Sequence, residues 1–308
     1  NFCSLPSSLG HLSKLLFLGL QECRNLQSIP ELPANLRSLY ADDCTSLEKL
    51  PNLSNFKRVP TLFLTDCNKL AEIQGLENLH SIDVFHMERC SNLANTIKDS
   101  FFKGQSEEYE SNIYFPSKEI PDWFSHQGMG SSISFDMPLH VENKLLGMTL
   151  WVVYAAKEDT AERIFPPQAL FSNITNGDEW IHMPNSHRIP VTREEHSWVS
   201  HMPKSYFLYP MKGGERIEVS IKMQPPLKVK KCGIHLVYKP NIAEEDQGQS
   251  SCVNADDGDE LMDDMHFKRG HDVETSCDLS NEEKFGKRQR IEPDRTKNLD
   301  MELDQLKK

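Results

Sequence analysis

What this 308-residue sequence lacks narrows it first. No apolar run approaches the roughly 18 residues that would read as a membrane-spanning helix. Positive charge is not in surplus, since the formal net charge is −12. Residues 241–308 hold 19 acidic and 10 basic side chains, which leaves only −3 for the first 240 residues. A body so close to neutral offers no basic surface for nucleic acid. No G-x-x-x-x-G-K-[ST] phosphate loop occurs, and no G-x-S-x-G elbow supports a hydrolase. His182, His187, His196 and His201 cluster in one stretch, yet neither H-x-H nor H-E-x-x-H spacing exists for a zinc ion. Pro190 and Pro203 argue against a helix there, so these histidines are expected in loops. No signal peptide opens the chain, which begins with Asn; it is expected to be the C-terminal piece of something longer.

What is present begins with a repeat. The stretch ELPANLRSLYADDCTSLEKLPNL, residues 31–53, places Cys44 after an alternating apolar run. The same arrangement returns as Cys23-Arg-Asn-Leu26, Cys67-Asn-Lys-Leu70 and Cys90-Ser-Asn-Leu93, at intervals of 21, 23 and 23 residues. Three, five and eight residues before each Cys stand apolar partners, Leu20, Leu18 and Leu15 in the first repeat, with Val59 and Ile82 the most distant ones in the third and fourth. The pattern L-x-x-L-x-L-x-x-C-x-x-L at this period predicts the end of a leucine-rich-repeat solenoid over residues 1–97. Alternation puts each short strand's inner face on the core, and stacking the strands builds a parallel sheet. The cysteine sits where the chain leaves the strand, a position suited to a small, buried thiol donating to a carbonyl. Adjacent solenoid turns are close enough for a disulfide, but a cysteine recurring once per turn reads as a row of reduced, buried, structural thiols.

Alternation also assigns the outward positions. Phe17, Gln21, Tyr40, Asp42, Phe63, Thr65, His86 and Glu88 are expected on the open face of the sheet. Aromatic residues among polar ones suit a protein-binding surface, and the competing reading is that they cover one another or lie under an adjacent domain.

After a polar connection at residues 98–112 the texture changes to short alternating runs separated by turns. Ser132–Phe135, Leu145–Ala156, Tyr206–Tyr209, Ile217–Ile221 and Gly233–Tyr238 read as strands of an all-β two-sheet sandwich over residues 113–240. Leu145–Ala156 is nearly continuous in apolar residues, the texture of a buried strand. Loop residues Asn173, Asn176 and Asp178 are candidates for binding because loops on a rigid support carry contacts. Ile120, Trp123 and Phe124 read as a hydrophobic plug after a proline-fixed turn.

These segments carry a resemblance. EIPDWF within residues 114–138, LLGMTLWVVYA, and VKKCGIHLVYKP at residues 229–240 resemble the C-terminal jelly-roll/Ig-like domain, C-JID, that follows the repeats of plant TIR–NB–LRR immune receptors. Ser117 stands where the family usually has glycine, which puts a left-handed turn there in doubt but leaves the strand intact. The resemblance implies a fold of solenoid plus sandwich and a role in recognising a pathogen effector protein, working with the receptor's own nucleotide-binding and TIR domains. It implies that NAD⁺-cleaving activity belongs to a TIR domain absent from this sequence. No cofactor, metal, nucleic acid or membrane partner is expected for the fragment, and its expected compartment is the cytoplasm.

A second reading makes the sandwich carbohydrate-binding or carbohydrate-active, with Trp123, Trp151, Trp180 and Trp198 as a stacking platform or Asp136 and Glu142 as a dyad. Core packing fits Trp151 better, inside its apolar run. Residues 241–308 lose all strand pattern and read as a disordered acidic tail. Within them Lys284, Lys287, Arg288 and Arg290 form a basic cluster that reads either as a nuclear import signal or as an ordinary solvated charge run.

Overall fold

A computed structural model describes residues 2–56, 61–75, 83–93, 109–139, 144–184 and 187–239. The chain divides into two compact units, Asn1–Glu245 and Asp246–Lys308. The second unit, with the expected disordered tail and its basic cluster, lies outside the described residues, as do Val59, Ile82 and Glu142.

The described part is built of β-strands with a few turns of 3₁₀ helix. Four three-residue strands come first: β1 (Phe17–Gly19), β2 (Ser38–Tyr40), β3 (Thr61–Phe63) and β4 (Val84–His86). They pair parallel and in register, Leu18 beside Leu39, Leu39 beside Leu62, and Leu62 beside Phe85. Each strand ends in a turn whose last residue before the cysteine is left-handed, with φ near +60° at Glu22, Asp43, Asp66 and Arg89. That conformation crowds Cβ against the following carbonyl, which aspartate tolerates better than most residues.

The next strand, β5 (Ser111–Pro116), begins two residues inside the expected connection and pairs parallel with β4, Phe85 beside Ile113 and His86 beside Tyr114. Ser117 follows it without a left-handed backbone, so serine at the family's glycine position fits the conformation. Further strands are β6 (His126–Met129), β7 (Ser132–Asp136), β8 (Leu145–Ala155), β9 (Arg163–Ile164), β10 (Gln168–Asn173), β11 (Glu179–His182), β12 (Ile189–Pro190), β13 (His196–Pro203), β14 (Arg216–Lys222) and β15 (Lys228–Tyr238). One sheet of nine strands runs β1-β2-β3-β4-β5-β13-β8-β15-β6. It is parallel up to β5 and antiparallel beyond it. A four-stranded sheet, β11-β10-β14-β7, covers one face of its antiparallel part, and β9 pairs with β12 in a separate small ladder.

Two cores lie on opposite faces of the large sheet. One joins the inner residues of the repeats, such as Leu39, Leu62 and Phe85, to Ile113, Phe115, Trp151, Val153 and Val199. The other fills the space between the two sheets with Leu150, Val152, Tyr154 and Trp198 against Phe135, Phe171 and Val219. Alternate residues of β8 serve the two cores, which is why that strand is apolar apart from Thr149, whose hydroxyl bonds His201.

Three expectations need correction. Tyr206–Tyr209 is not a strand, because Lys204–Tyr206 form a 3₁₀ turn. His182, His196 and His201 are in strands and not in loops. The prolines misled, since Pro203 closes β13 and Pro190 sits in a two-residue edge ladder, where a missing N–H costs little. The four tryptophans form no surface platform: Trp151, Trp180 and Trp198 are buried in the two cores.

Candidate functional site

In-register pairing of parallel strands stacks equivalent side chains at the strand spacing. On the face away from the repeat core, Gly19, Tyr40, Phe63, His86 and Tyr114 form one column. The rings are stacked and nearly parallel: centroids of Tyr40 and Phe63 are 4.7 Å apart, those of Phe63 and His86 5.1 Å, and those of His86 and Tyr114 4.5 Å. The column continues to Trp198 inside the sandwich core.

Exposure falls steeply along it. On β1 the column holds only Gly19, with Phe17 two residues before it 58% exposed; Tyr40 is half-buried, whereas Phe63 is 4% and His86 1% exposed. The expectation of a solvent-facing row therefore holds only at its first two strands. A hairpin of the sandwich, β9 with β12, covers the rest: the His187 ring lies 4.0 Å from Phe63 and 5.7 Å from Tyr40.

Beside the rings runs a polar row. Gln21 is exposed and Asp42 half-buried, while Thr65 and Glu88 are buried. Thr65 N–H donates to Asp42 Oδ1 at 3.2 Å, Thr65 Oγ1–H to Glu88 Oε2 at 3.2 Å, and Glu88 Oε1 lies 2.9 Å from His86 Nδ1. Burial pushes the Glu88 carboxyl up, but His86 beside it more than offsets that and holds it below the ordinary range. For Asp42 burial raises the carboxyl, and the Thr65 hydrogen bond and the Arg163 charge offset it only in part.

The cysteines pack behind this face. Cys44, Cys67 and Cys90 are buried, and their thiols donate to the carbonyls of Leu20, Ala41 and Leu64 at 2.9–3.1 Å. Burial pushes the Cys44 thiol up to about 12. Cys67 is raised too, first by its hydrogen bond with Cys90 and then by burial. Such thiols are not nucleophiles. Cys23, at the open end, is only half-buried, a departure from the expected row.

The junction is held by residues that the sequence pattern did not single out. Arg89 bonds Asp66 at 2.6 Å, and its backbone N–H donates to His196 Nε2 at 2.9 Å. Arg163, on the covering hairpin, lies 3.9 Å from both Asp43 and Asp66. The recurring acidic residue before the cysteines was the only sequence signal for this contact.

The loop after β10 differs from its expected role. Asn173 is buried and donates to Glu215 Oε2 at 2.9 Å, and Asn176 reaches Glu215 Oε1 at 3.4 Å. Their oxygens accept the N–H groups of Thr175, Asn176 and Asp178. Asn173 and Asn176 shape the loop, and its tip exposes Asn176 together with Ile174, which is 56% exposed.

In the plug, Ile120 and Phe124 are buried and Trp123 is half-buried. Phe124 meets Trp151 edge-on at 5.5 Å. A Cβ on Gly233 would stand 3.2 Å from Ile120 and 3.3 Å from Phe124, so this glycine admits the plug. Lys231 pairs with Glu119 at 3.0 Å beside it. Among the described residues no group of His, Cys, Asp and Glu is placed to hold a metal, and no helix is long and apolar enough to cross a membrane.

Between the ring column and the covering hairpin lies a cleft of about 490 Å³, with Tyr40, Phe63, Asp83, Glu110 and Arg188 in its walls. It is bounded by both halves of the structure.

Comparison with known proteins agrees with this architecture. The C-JID domain model matches residues 115–243. The chain is 31% identical over 170 residues to Disease resistance-like protein DSC1 of Arabidopsis thaliana, covering 53% of this chain and 14% of that protein. It is 29% identical over 167 residues to TMV resistance protein N of Nicotiana glutinosa, covering 53% and 14%. With Disease resistance protein RPS4 of Arabidopsis thaliana the identity is 30% over 201 residues, covering 64% and 16%. The matched part is thus a small fraction of each relative's length. Residues 115–243 thus match the C-JID domain model, and the chain is similar over about half its length to plant disease resistance proteins.

Proposed function

We propose that this chain is the effector-recognition part of an intracellular plant immune receptor and carries no catalysis or cofactor of its own. In this reading β1–β4 are the last turns of a leucine-rich-repeat solenoid and residues 113–240 a jelly-roll/Ig-like sandwich. A pathogen effector protein is the partner, and the receptor's nucleotide-binding and TIR domains receive the signal. The tail and its basic cluster remain proposals of the same kind, a solvated segment with a nuclear import signal.

One observation supports the reading most: a single sheet carries both the open ring face of the repeats and strands of the sandwich, whose separate β9–β12 ladder borders that face. Exposed Phe17 and half-open Tyr40, beside Gln21 and Asp42, are rigidly presented aromatic and polar groups of the kind interfaces use. Candidate effectors would be screened for binding to the 308-residue chain. Phe17→Ala with Tyr40→Ala is expected to weaken a true effector about thirtyfold, the loss for an aromatic anchor of about 2 kcal/mol. Unchanged binding by a stably folded double variant would remove this face from recognition.

A further inference from the structure

The cleft beside the ring column contains a carboxylate that no lysine or arginine among the described residues pairs with. Glu110 lies in its wall, two residues before Asn112, whose Nδ2 donates to Glu110 Oε1 at 2.8 Å. Burial raises the Glu110 carboxyl, Asn112 opposes that, and the neighbouring Asp83 raises it further. The one basic group within ion-pair reach among the described residues is His182, with Nε2 3.8 Å away. That nitrogen already lies 2.8 Å from Ser200 Oγ, and burial pushes the imidazole down to about 4, so it is neutral near pH 7. Arg188 is in the cleft wall but stacks on the Phe165 ring at 4.5 Å, with no ion pair to Glu110.

A partly desolvated carboxylate beside a like charge gains more from a cation than a solvated one does. The remaining walls supply the other half of a fit. Tyr40 and Phe63 line the same space and offer ring edges to an aliphatic stem. An anion entering the same space would face Asp83 and Glu110 together. We propose that this cleft receives an arginine or lysine side chain of the partner protein, its stem along Tyr40 and Phe63 and its charged head at Glu110. This rests on the recognition reading above and adds the chemistry of one contact to it.

The test titrates the full chain with acetyl-Gly-Arg-Gly-amide and with the same peptide carrying citrulline, which keeps the shape and removes the charge. Binding is read from chemical shifts of cleft residues. The arginine peptide is expected to bind about tenfold more tightly or better, the scale of one charge-assisted hydrogen bond. Glu110→Gln, which keeps an acceptor for Asn112, is expected to abolish that preference. Asp159→Asn, which alters an exposed carboxylate paired with Arg193, is expected to leave it intact. Equal binding of the two peptides to the unaltered chain overturns the proposal without any variant, as does a preference that survives Glu110→Gln. The two readings fail separately: effector binding that ignores Phe17 and Tyr40 counts against the ring face, while the peptide preference alone decides the cleft.

Discussion

Tyr40 and Tyr114 occupy the same register position, three strands apart in one sheet, yet one is half open and the other sealed. Their side chains leave the sheet on the same side and belong to one ring column. The difference lies in what stands opposite. Over Tyr114 the sandwich core closes, with Trp198 and His86 on either side of the ring. Beyond Tyr40 the next position is Gly19, which adds no ring to the column. Alternation along a strand decides which face a residue points to; the partner across that face decides whether it meets water. A ring face that looks open from the repeats alone becomes, at its far end, interior.

Substitutions at the two ends should separate these environments. The largest loss is expected away from the column, at Phe124→Ala, which leaves a void beside Trp151 and Gly233: about 4 kcal/mol in chemical denaturation, with half-buried Trp123→Ala costing less. Next comes the comparison itself. Phe63→Ala should cost about 3 kcal/mol, because its ring is held between Tyr40, His86 and His187. Tyr40→Ala should cost about 1 kcal/mol, the usual range for a half-open residue. Equal costs would mean that the covering hairpin does not bury the column.

The left-handed turn residues sharpen the comparison with opposite signs. Glu22, exposed at the open end, holds φ +59° without an ion pair among the described residues, so Glu22→Gly should stabilise by roughly 0.5–1 kcal/mol. Arg89 holds φ +60° at the junction but bonds Asp66, so Arg89→Gly should destabilise, by about 1 kcal/mol. Thermal midpoints of the two variants should move in opposite directions.

The smallest effects are pH-dependent and again of opposite sign. Glu88 is held below its ordinary value of 4.5, so it contributes stability above that pH which is lost as pH falls through its lower folded value. Asp42 is raised above 3.8, so its charge opposes folding at neutral pH, and that penalty fades as pH falls through the raised value. Asp42→Asn should therefore be more stable than the parent by a fraction of a kcal/mol near pH 7. The gap should close by about pH 3, as read from denaturation midpoints across pH.

Much of this was legible in the residues. The period of 21–23 located the parallel strands, and the alternation Leu-x-Leu identified their inner face. The nearly continuous apolar run of β8 anticipated burial on both sides. What was not legible depends on distant partners. Nothing local in Arg163 or His187 says that they lie over Asp43 and Phe63, more than a hundred residues away. His196 reads as a loop residue until β5 and β8 flank it. Asn173 resembles a contact residue because Asn and Asp shape loops and bind ligands with the same atoms; its buried partner, Glu215, is 42 residues on.

The central claim is that the repeats and the sandwich share one sheet and one cooperative interior across β4 and β5. Native-state hydrogen exchange tests it most directly. Met87 N–H, bonded to the Tyr114 carbonyl at 2.7 Å, and Asn112 N–H, bonded to the Asp83 carbonyl at 2.9 Å, cross that junction. Both amides are expected to exchange only on global opening, at the rate of Val152 in the centre of β8. Exchange of Met87 and Asn112 in a separate, faster class, while Val152 stays protected, would contradict the account.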